Sequence, residues 1–297
     1  MDFKKIDLDD RPVMQPYLIN NPYGTCDFSF GNIFIWQDQL KTRYCIHKGY
    51  LVLRAVSLKG DTVYLMPLGL GDDGGKKEVL ADMIAEAREA GEEFMLGAVT
   101  PQMEKELDEI MPGAFSFSNP NSVCDYVYLS ENLRLLKGRK YSAKRNHINK
   151  FMSLYGDRYK YVEIDEGIVP LCHEMHDRWC VECDCGKSDT DFCAATKALD
   201  NMNAIGLEGG AIFVDEEMIG FTLGQPNNAD TYNIIIEKAL KRMEGAYAMI
   251  NREFAARKCE NYKLINREED VGVQELKKAK MSYYPHILLT KGVGVLQ

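Results

Sequence analysis

The chain has 297 residues, with 36 Lys and Arg against 45 Asp and Glu, a net charge of −9. That length suggests about two domains, and a hydrophobic fraction of 45% is enough for a buried core. The acidic balance argues against broad adsorption to DNA or anionic membranes and leaves room for a local basic site. No apolar run approaches the roughly 20 residues that span a bilayer, and the charged start MDFKKIDLDD is no secretion signal, so a cytoplasmic protein is expected.

In chain order, strands are predicted at 42–47, 50–57 and 62–68, joined by Lys48-Gly49 and Lys59-Gly60. A helix follows at 76–90, a strand at 93–99, and a helix at 102–111 for which Pro101 suits the first turn. Ser118-Asn119-Pro120-Asn121 is a turn, and 123–129 closes the first half as a strand. In the second half, 159–165 reads as a strand, and 169–183 and 191–207 as helices with apolar spacings of three and four. GGAIFVD and MIGFTLGQ form a hairpin across Glu216-Glu217, and TYNIIIEKAL is a strand rich in β-branched residues. A helix at 246–259, a strand at 262–266, a helix at 273–281 and a strand at 286–290 complete the chain. Both halves contain three strands, helix, strand, helix, strand, which reads as an architecture present twice. The division is expected at 155/156.

The run KGRKYSAKRNHINKF, 137–151, holds six cations and no acid. Such an island in an acidic chain points to an anionic target, a phosphate, a nucleic-acid backbone or a lipid headgroup. A solvated basic helix is the plain alternative. It lies at the junction of the halves, where ligand clefts form preferentially. Nine cysteines without a secretion signal read as reduced thiols. Cys172, His173, His176, Cys180, Cys183, Cys185 and Cys193 crowd together, and thiolate with imidazole suits zinc. Their spacing does not make a clean four-ligand set, so no metal is expected and the reading is a helix with buried thiols. Trp179 there is expected in the core.

Four strings occur in order: KYSAKRNHINKF; the strand end Glu237-Lys238-Ala239; Gly245-Ala246-Tyr247 with Ile250-Asn251-Arg252-Glu253-Phe254-Ala255; and NREEDVG leading to LKKAKMSYYP. Together they resemble the phosphatidylglycerol lysyltransferase C-terminal domain family, in its soluble form without a transmembrane portion. The resemblance implies an α+β fold of two tandem GNAT-like acyltransferase domains, each a mixed, mainly antiparallel sheet flanked by helices. The second copy, 156–297, is the expected catalytic unit, and 1–155 the first domain with the basic junction.

The resemblance further implies transfer of an acyl or aminoacyl group, from acyl-CoA or aminoacyl-tRNA as co-substrate, onto an amine or hydroxyl acceptor. The acceptor is a small molecule or a lipid headgroup, and tRNA is an expected partner; no permanent cofactor is expected. In the GNAT fold the donor's phosphates sit where the fourth strand splays and the third helix begins, at Arg242, Gly245, Ala246 and Tyr247. A helix N-terminus suits phosphate. Arg242 and Gly245 match the coenzyme A pattern, whereas Tyr247 stands where a small residue belongs. Glu237 is the first candidate base. Among Glu268, Glu269 and Asp270, Glu269 is the second. Tyr283 and Tyr284 could protonate a leaving group, Tyr283 being the catalytic choice. Lys144, Arg145, Lys278 and Lys280 are candidates for phosphate, with Asn146, Asn266 and Arg267 completing the binding set. Two other classes compete: a non-catalytic degenerate module binding a phosphate-bearing ligand, and RNA binding without chemistry.

Overall fold

The computed structural model describes residues 1–57, 59–71, 74–119, 123–184 and 190–297. Strands β1 (Lys4–Lys5), β2 (Arg43–His47), β3 (Tyr50–Val56), β4 (Thr62–Tyr64), β5 (Met95–Val99) and β6 (Phe115–Ser118) belong to a first sheet. Strands β7 (Cys124–Leu129), β8 (Tyr159–Glu163), β9 (Glu208–Val214), β10 (Glu217–Pro226), β11 (Thr231–Ala239), β12 (Leu264–Asn266) and β13 (Ile287–Thr290) form a second. The last strand, β14 (Gly292–Leu296), returns to the first sheet. The orders are β1-β2-β3-β4-β5-β14-β6 and β13-β7-β12-β11-β10-β9-β8. Among the described residues only β4–β5 and β11–β12 pair in parallel, so the expected mixed, mainly antiparallel α+β architecture is present.

The helices are α1 (Arg11–Ile19), α2 (Phe30–Trp36), α3 (Lys76–Glu89), α4 (Pro101–Ile110), α5 (Ser130–Leu135), α6 (Ser142–Tyr155), α7 (Val169–Cys183), α8 (Thr190–Asp200), α9 (Met202–Ile205), α10 (Ala246–Lys258) and α11 (Gln274–Met281). The basic run becomes α6 because Ile148 and Phe151, three apart, supply a buried stripe. Helix α10 is central, with most of its residues buried. No helix of the described residues is long and apolar enough to cross a membrane.

The structure departs from the sequence reading in three places. The strand closing the first half, β7, pairs instead with β12 and β13, and the place beside β6 goes to β14. Strands β7 and β14 have thus exchanged sheets, and β7, α5 and α6 of the second layer all precede the expected 155/156 division. The single helix expected at 191–207 breaks into α8 and α9 around Asn201. Strand β14 is hidden in sequence because GVGVL carries two glycines, which weaken strands. Gly292 is required there: a Cβ would meet the Ser118 carbonyl oxygen at 2.6 Å.

The crossing point between the sheets is locked by a buried ammonium. Lys291, between β13 and β14, lies 2.9 Å from Asp125 of β7 and 2.8 Å from Asp27, and also contacts Glu269. Asp125 is fully buried and accepts from the Cys26 N–H and from Asn266, each at 2.8 Å. Burial alone would raise its carboxyl, but Lys291, Asn266 and Cys26 hold it below its ordinary value. A depressed carboxylate stabilises the fold above the ordinary range near about pH 4, and that stability is lost as pH falls through the lower folded value. Lys291→Met leaves Asp125 buried and unpaired. It should cost about 3–5 kcal/mol, read by urea unfolding at pH 7.

Candidate active site around Glu237

Strand β11 is turned by one irregularity. Leu223 of β10 pairs with Ile236 and Gly224 with Ile234, so Ile235 is left over. An extra residue reverses which face the rest of a strand presents. Tyr232 faces α10, its ring 6.0 Å from that of Phe254. Five residues later, Glu237 also faces α10 and accepts from Asn251 at 2.8 Å. A regular strand would have sent it to the other side. β12 pairs with β11 only from Thr231 to Asn233, and β11 then runs on beyond it. The splay expected of this fold therefore opens beside Glu237.

Into that splay come four further elements. Arg267, just past β12, donates from Nη2 to Glu237 Oε1 at 2.7 Å, and the two side chains are 11% and 10% exposed. Tyr283, after α11, is buried, with its ring 4.9 Å from the Arg267 guanidinium. Lys144 of α6 holds its Nζ 3.9 Å from the same ring centroid. Tyr128 of β7 flanks Arg267 at 5.8 Å and donates its hydroxyl to the Lys280 carbonyl at 2.8 Å. Burial lowers Lys144 to about 8, helped by the Arg267 charge and opposed by Glu237. Burial raises the Tyr283 phenol. Around the ion pair, Arg267 Nη1, Asn251 Oδ1 and Thr222 Oγ1 are buried without a hydrogen-bond partner. Buried polar groups are nearly always satisfied, so these three atoms have hydrogen-bonding capacity left for a ligand or water.

The structure thus brings Glu237, Tyr283, Lys144 and Arg267 together. The remaining sequence candidates lie elsewhere. Glu269 belongs to the Lys291 cage, and Asn266 is committed to Asp125, the Gly24 carbonyl and the Glu268 N–H. Lys280 is buried and donates to the carbonyls of Arg267 and Glu269; burial, with the Arg267 charge, lowers it to about 8. Arg145 donates to the Gly138 and Leu136 carbonyls. Asn146 and Lys278 are exposed.

Residues expected at the phosphate place before and at the start of α10 are engaged within the chain. Arg242 is paired with Glu182, at 3.4 Å, and with Glu217. The Lys241 N–H donates to the Glu182 carboxylate at 2.7 Å. Ala246 is buried, and the Tyr247 hydroxyl accepts from Trp179 at 2.7 Å. Gly245 has φ +82° and packs on α6, so that a Cβ would meet the His147 carbonyl oxygen at 2.3 Å.

Among residues suited to a metal, Cys26, Asp27 and Glu269 bring ligand atoms within 4.8 Å of one another. The Lys291 ammonium stands among them, 3.5 Å from the Cys26 sulfur, and supplies the positive charge. In the cysteine-rich helix α7, His176 is buried with its ring 4.6 Å from that of Phe192, and Cys172 is a buried free thiol. Cys185 lies outside the described residues, as do Pro120 and Asn121 of the predicted turn. A cleft of about 590 Å³ opens at the start of α3, lined in part by Tyr50, Lys76, Lys77 and Glu106. There Lys76 is already paired with Glu106, and among the described lining residues no buried polar atom lacks a partner.

The profile of the phosphatidylglycerol lysyltransferase C-terminal family matches residues 22–291. The chain belongs to that family. A conserved protein of unknown function from Bacteroides thetaiotaomicron is 36% identical with a TM-score of 0.93, over 100% of both chains. L-PGS from Bacillus licheniformis superposes with a TM-score of 0.68 at 12% identity, covering 99% of this chain and 94% of that one. FemX gives 0.61 at 8% identity, over 100% and 98%. An uncharacterized protein of Mycoplasmoides gallisepticum is 22% identical over 171 residues, 57% of this chain. The match spans about half, 55%, of that curated relative's length. The fold, two mixed sheets flanked by helices, is shared with these structures.

Within this family member, sequence reasoning passed over Asn251, Tyr128 and Thr222 as site residues. Asn251 carried a signal, being a polar residue directly after Ala248, Met249 and Ile250 in a helix with most residues buried. Thr222 carried none, since its partner strand position depends on the irregularity at Ile235. Gly245→Ala should destabilise the protein by about 1–3 kcal/mol from the backbone conformation alone, and by more through the contact with α6. Thermal unfolding measures this.

Proposed function

We propose that the chain transfers an aminoacyl group from aminoacyl-tRNA to an amine or hydroxyl acceptor, with Lys144 moving the proton. The observation that carries this reading is the Lys144–Tyr283–Arg267–Glu237 cluster beside the splay. Both Glu237 oxygens already accept hydrogen bonds, from Arg267 and Asn251. With both oxygens engaged, the work of Glu237 is to hold Arg267. Lys144, lowered to about 8, has a substantial neutral fraction near neutral pH, the condition for general base catalysis. The acceptor nitrogen or oxygen attacks the ester carbonyl carbon of the donor as Lys144 takes its proton. The free Nη1 of Arg267 donates to the developing oxyanion. Collapse breaks the bond to the ribose oxygen, which receives the proton back from Lys144.

The choice of donor draws on the segment before α10. A carboxylate, Glu182, takes the Lys241 N–H and Arg242, so the one arginine that matched the coenzyme A pattern is already engaged. The names of the family and of L-PGS support an aminoacyl donor and admit a lipid headgroup as acceptor; FemX supports the fold alone.

The test is transfer of labelled amino acid from charged tRNA to a panel of amines and lipids. Lys144→Met should lower kcat by about 10²–10⁴-fold. The parent's rate should rise with pH and level off above about 8, because the neutral amine is the active form. Unchanged transfer in Lys144→Met and Glu237→Gln would overturn the roles assigned to these two residues, whereas no transfer by the parent to any acceptor would favour a non-catalytic module. Separately, millimolar coenzyme A should leave the melting temperature unmoved, whereas a micromolar site would raise it by mass action.

A further inference from the structure

Helix α11 is inside out. Its single buried residue is Lys280, held by backbone carbonyls, while Leu276 and Met281 face solvent. The segments on either side behave alike. Val271 has φ +45° and is 75% exposed; Tyr284 has φ +55° and is 48% exposed. A β-branched residue in the left-handed region is a true outlier, and strain of this kind points toward function. Here it holds apolar side chains out in water. β13, at the end of its sheet, exposes Leu288 as well.

Cations stand among these side chains. Lys277 and Lys278 are exposed on α11, against one acid, Glu275. Lys140 places its Nζ 5.7 Å from the Tyr284 ring centroid, and exposed Arg139 is its chain neighbour, while Lys137 lies 4.0 Å from Glu131. We propose that residues 271–288, with the 137–140 turn, form a face that seats on the surface of an anionic lipid bilayer. Aliphatic side chains enter the headgroup boundary while lysines meet its negative charge. RNA fits less well, because base stacking calls for aromatic rings and Tyr284 is the single one exposed here. A protein partner fits less well because protein interfaces are depleted in lysine. The net charge of −9 makes this a one-sided association. Tyr283 of the Lys144 cluster directly precedes Tyr284, so a seated chain would present headgroups to that cluster; this last step alone rests on the transferase reading.

The experiment is flotation of the purified full chain with vesicles of phosphatidylcholine, alone or mixed with phosphatidylserine or phosphatidylglycerol. Binding is expected to both anionic mixtures, to fall with salt, and to be absent from phosphatidylcholine. Replacing both Lys277 and Lys278 by Gln should weaken it roughly thirtyfold. Val271→Asp with Leu276→Asp should abolish it without lowering the melting temperature, since Asp tolerates positive φ better than Val. No flotation on anionic vesicles at low salt would overturn the proposal. So would unchanged flotation of the variants, binding to phosphatidylglycerol alone, or tRNA retention lost by these variants in place of vesicle binding. Glu237→Gln should float like the parent whatever its effect on transfer, which keeps failure of the docking face distinct from failure of the transferase reading.

Discussion

The contact of Lys291 with Asp125, Asp27 and Glu269 holds the two layers in register. It joins the N-terminal segment, a strand of the second sheet, the loop after β12 and the link to the last strand of the first. Each partner comes from a distant part of the chain, and a buried charge tolerates no loose fit. An unpaired carboxylate in that interior would be costly. The ammonium therefore fixes where β13 ends and where β14 must enter the other sheet. The loop that it anchors through Glu269 is the one that begins with Arg267, so the same contact sets the position of the guanidinium in the site.

The site itself depends on a single surplus residue. Ile235 is skipped in the pairing of β11 with β10, and the strand beyond it is reversed. Glu237 then meets Asn251 and Arg267 instead of the helices on the opposite side, where its neighbour Lys238 pairs with Asp191 and lies 3.8 Å from the Trp179 ring centroid. Once Glu237 is fixed, Arg267 spends one nitrogen on it and keeps the other free. Lys144, brought in by α6, sits between a cation that lowers its proton affinity and an aromatic ring that limits its hydration. Fold and chemistry are linked here by register.

Much of the second half was legible. Helix α7 matches its predicted limits, Val169–Cys183, because apolar spacing and Pro170 in its first turn agree. The hairpin and β11 follow from β-branched runs. Glu237, Tyr283, Lys144 and Arg267 were each named from motifs, and the structure gathers those four. Asn266, Glu269 and Lys280 were named on the same grounds, yet their side chains serve buried structural contacts. Nothing in a linear string separates these two groups. Arg267 and Asn266 are neighbours that face opposite sides of the sheet, and only the pairing of β12 decides which side holds the site.

The sequence by itself determined the class of fold, the twofold repetition of its elements and the residue types that crowd around the splay. Periodicity and turn chemistry are local, and they survive without any knowledge of partners. Tertiary structure alone decided that β7 and β14 change sheets, that Arg242 before α10 is taken by Glu182 and Glu217, and that a lysine rather than a leucine lies under α11. Those outcomes turn on burial of charge between segments far apart in the chain. The energy of such contacts exists only once both segments have been brought together.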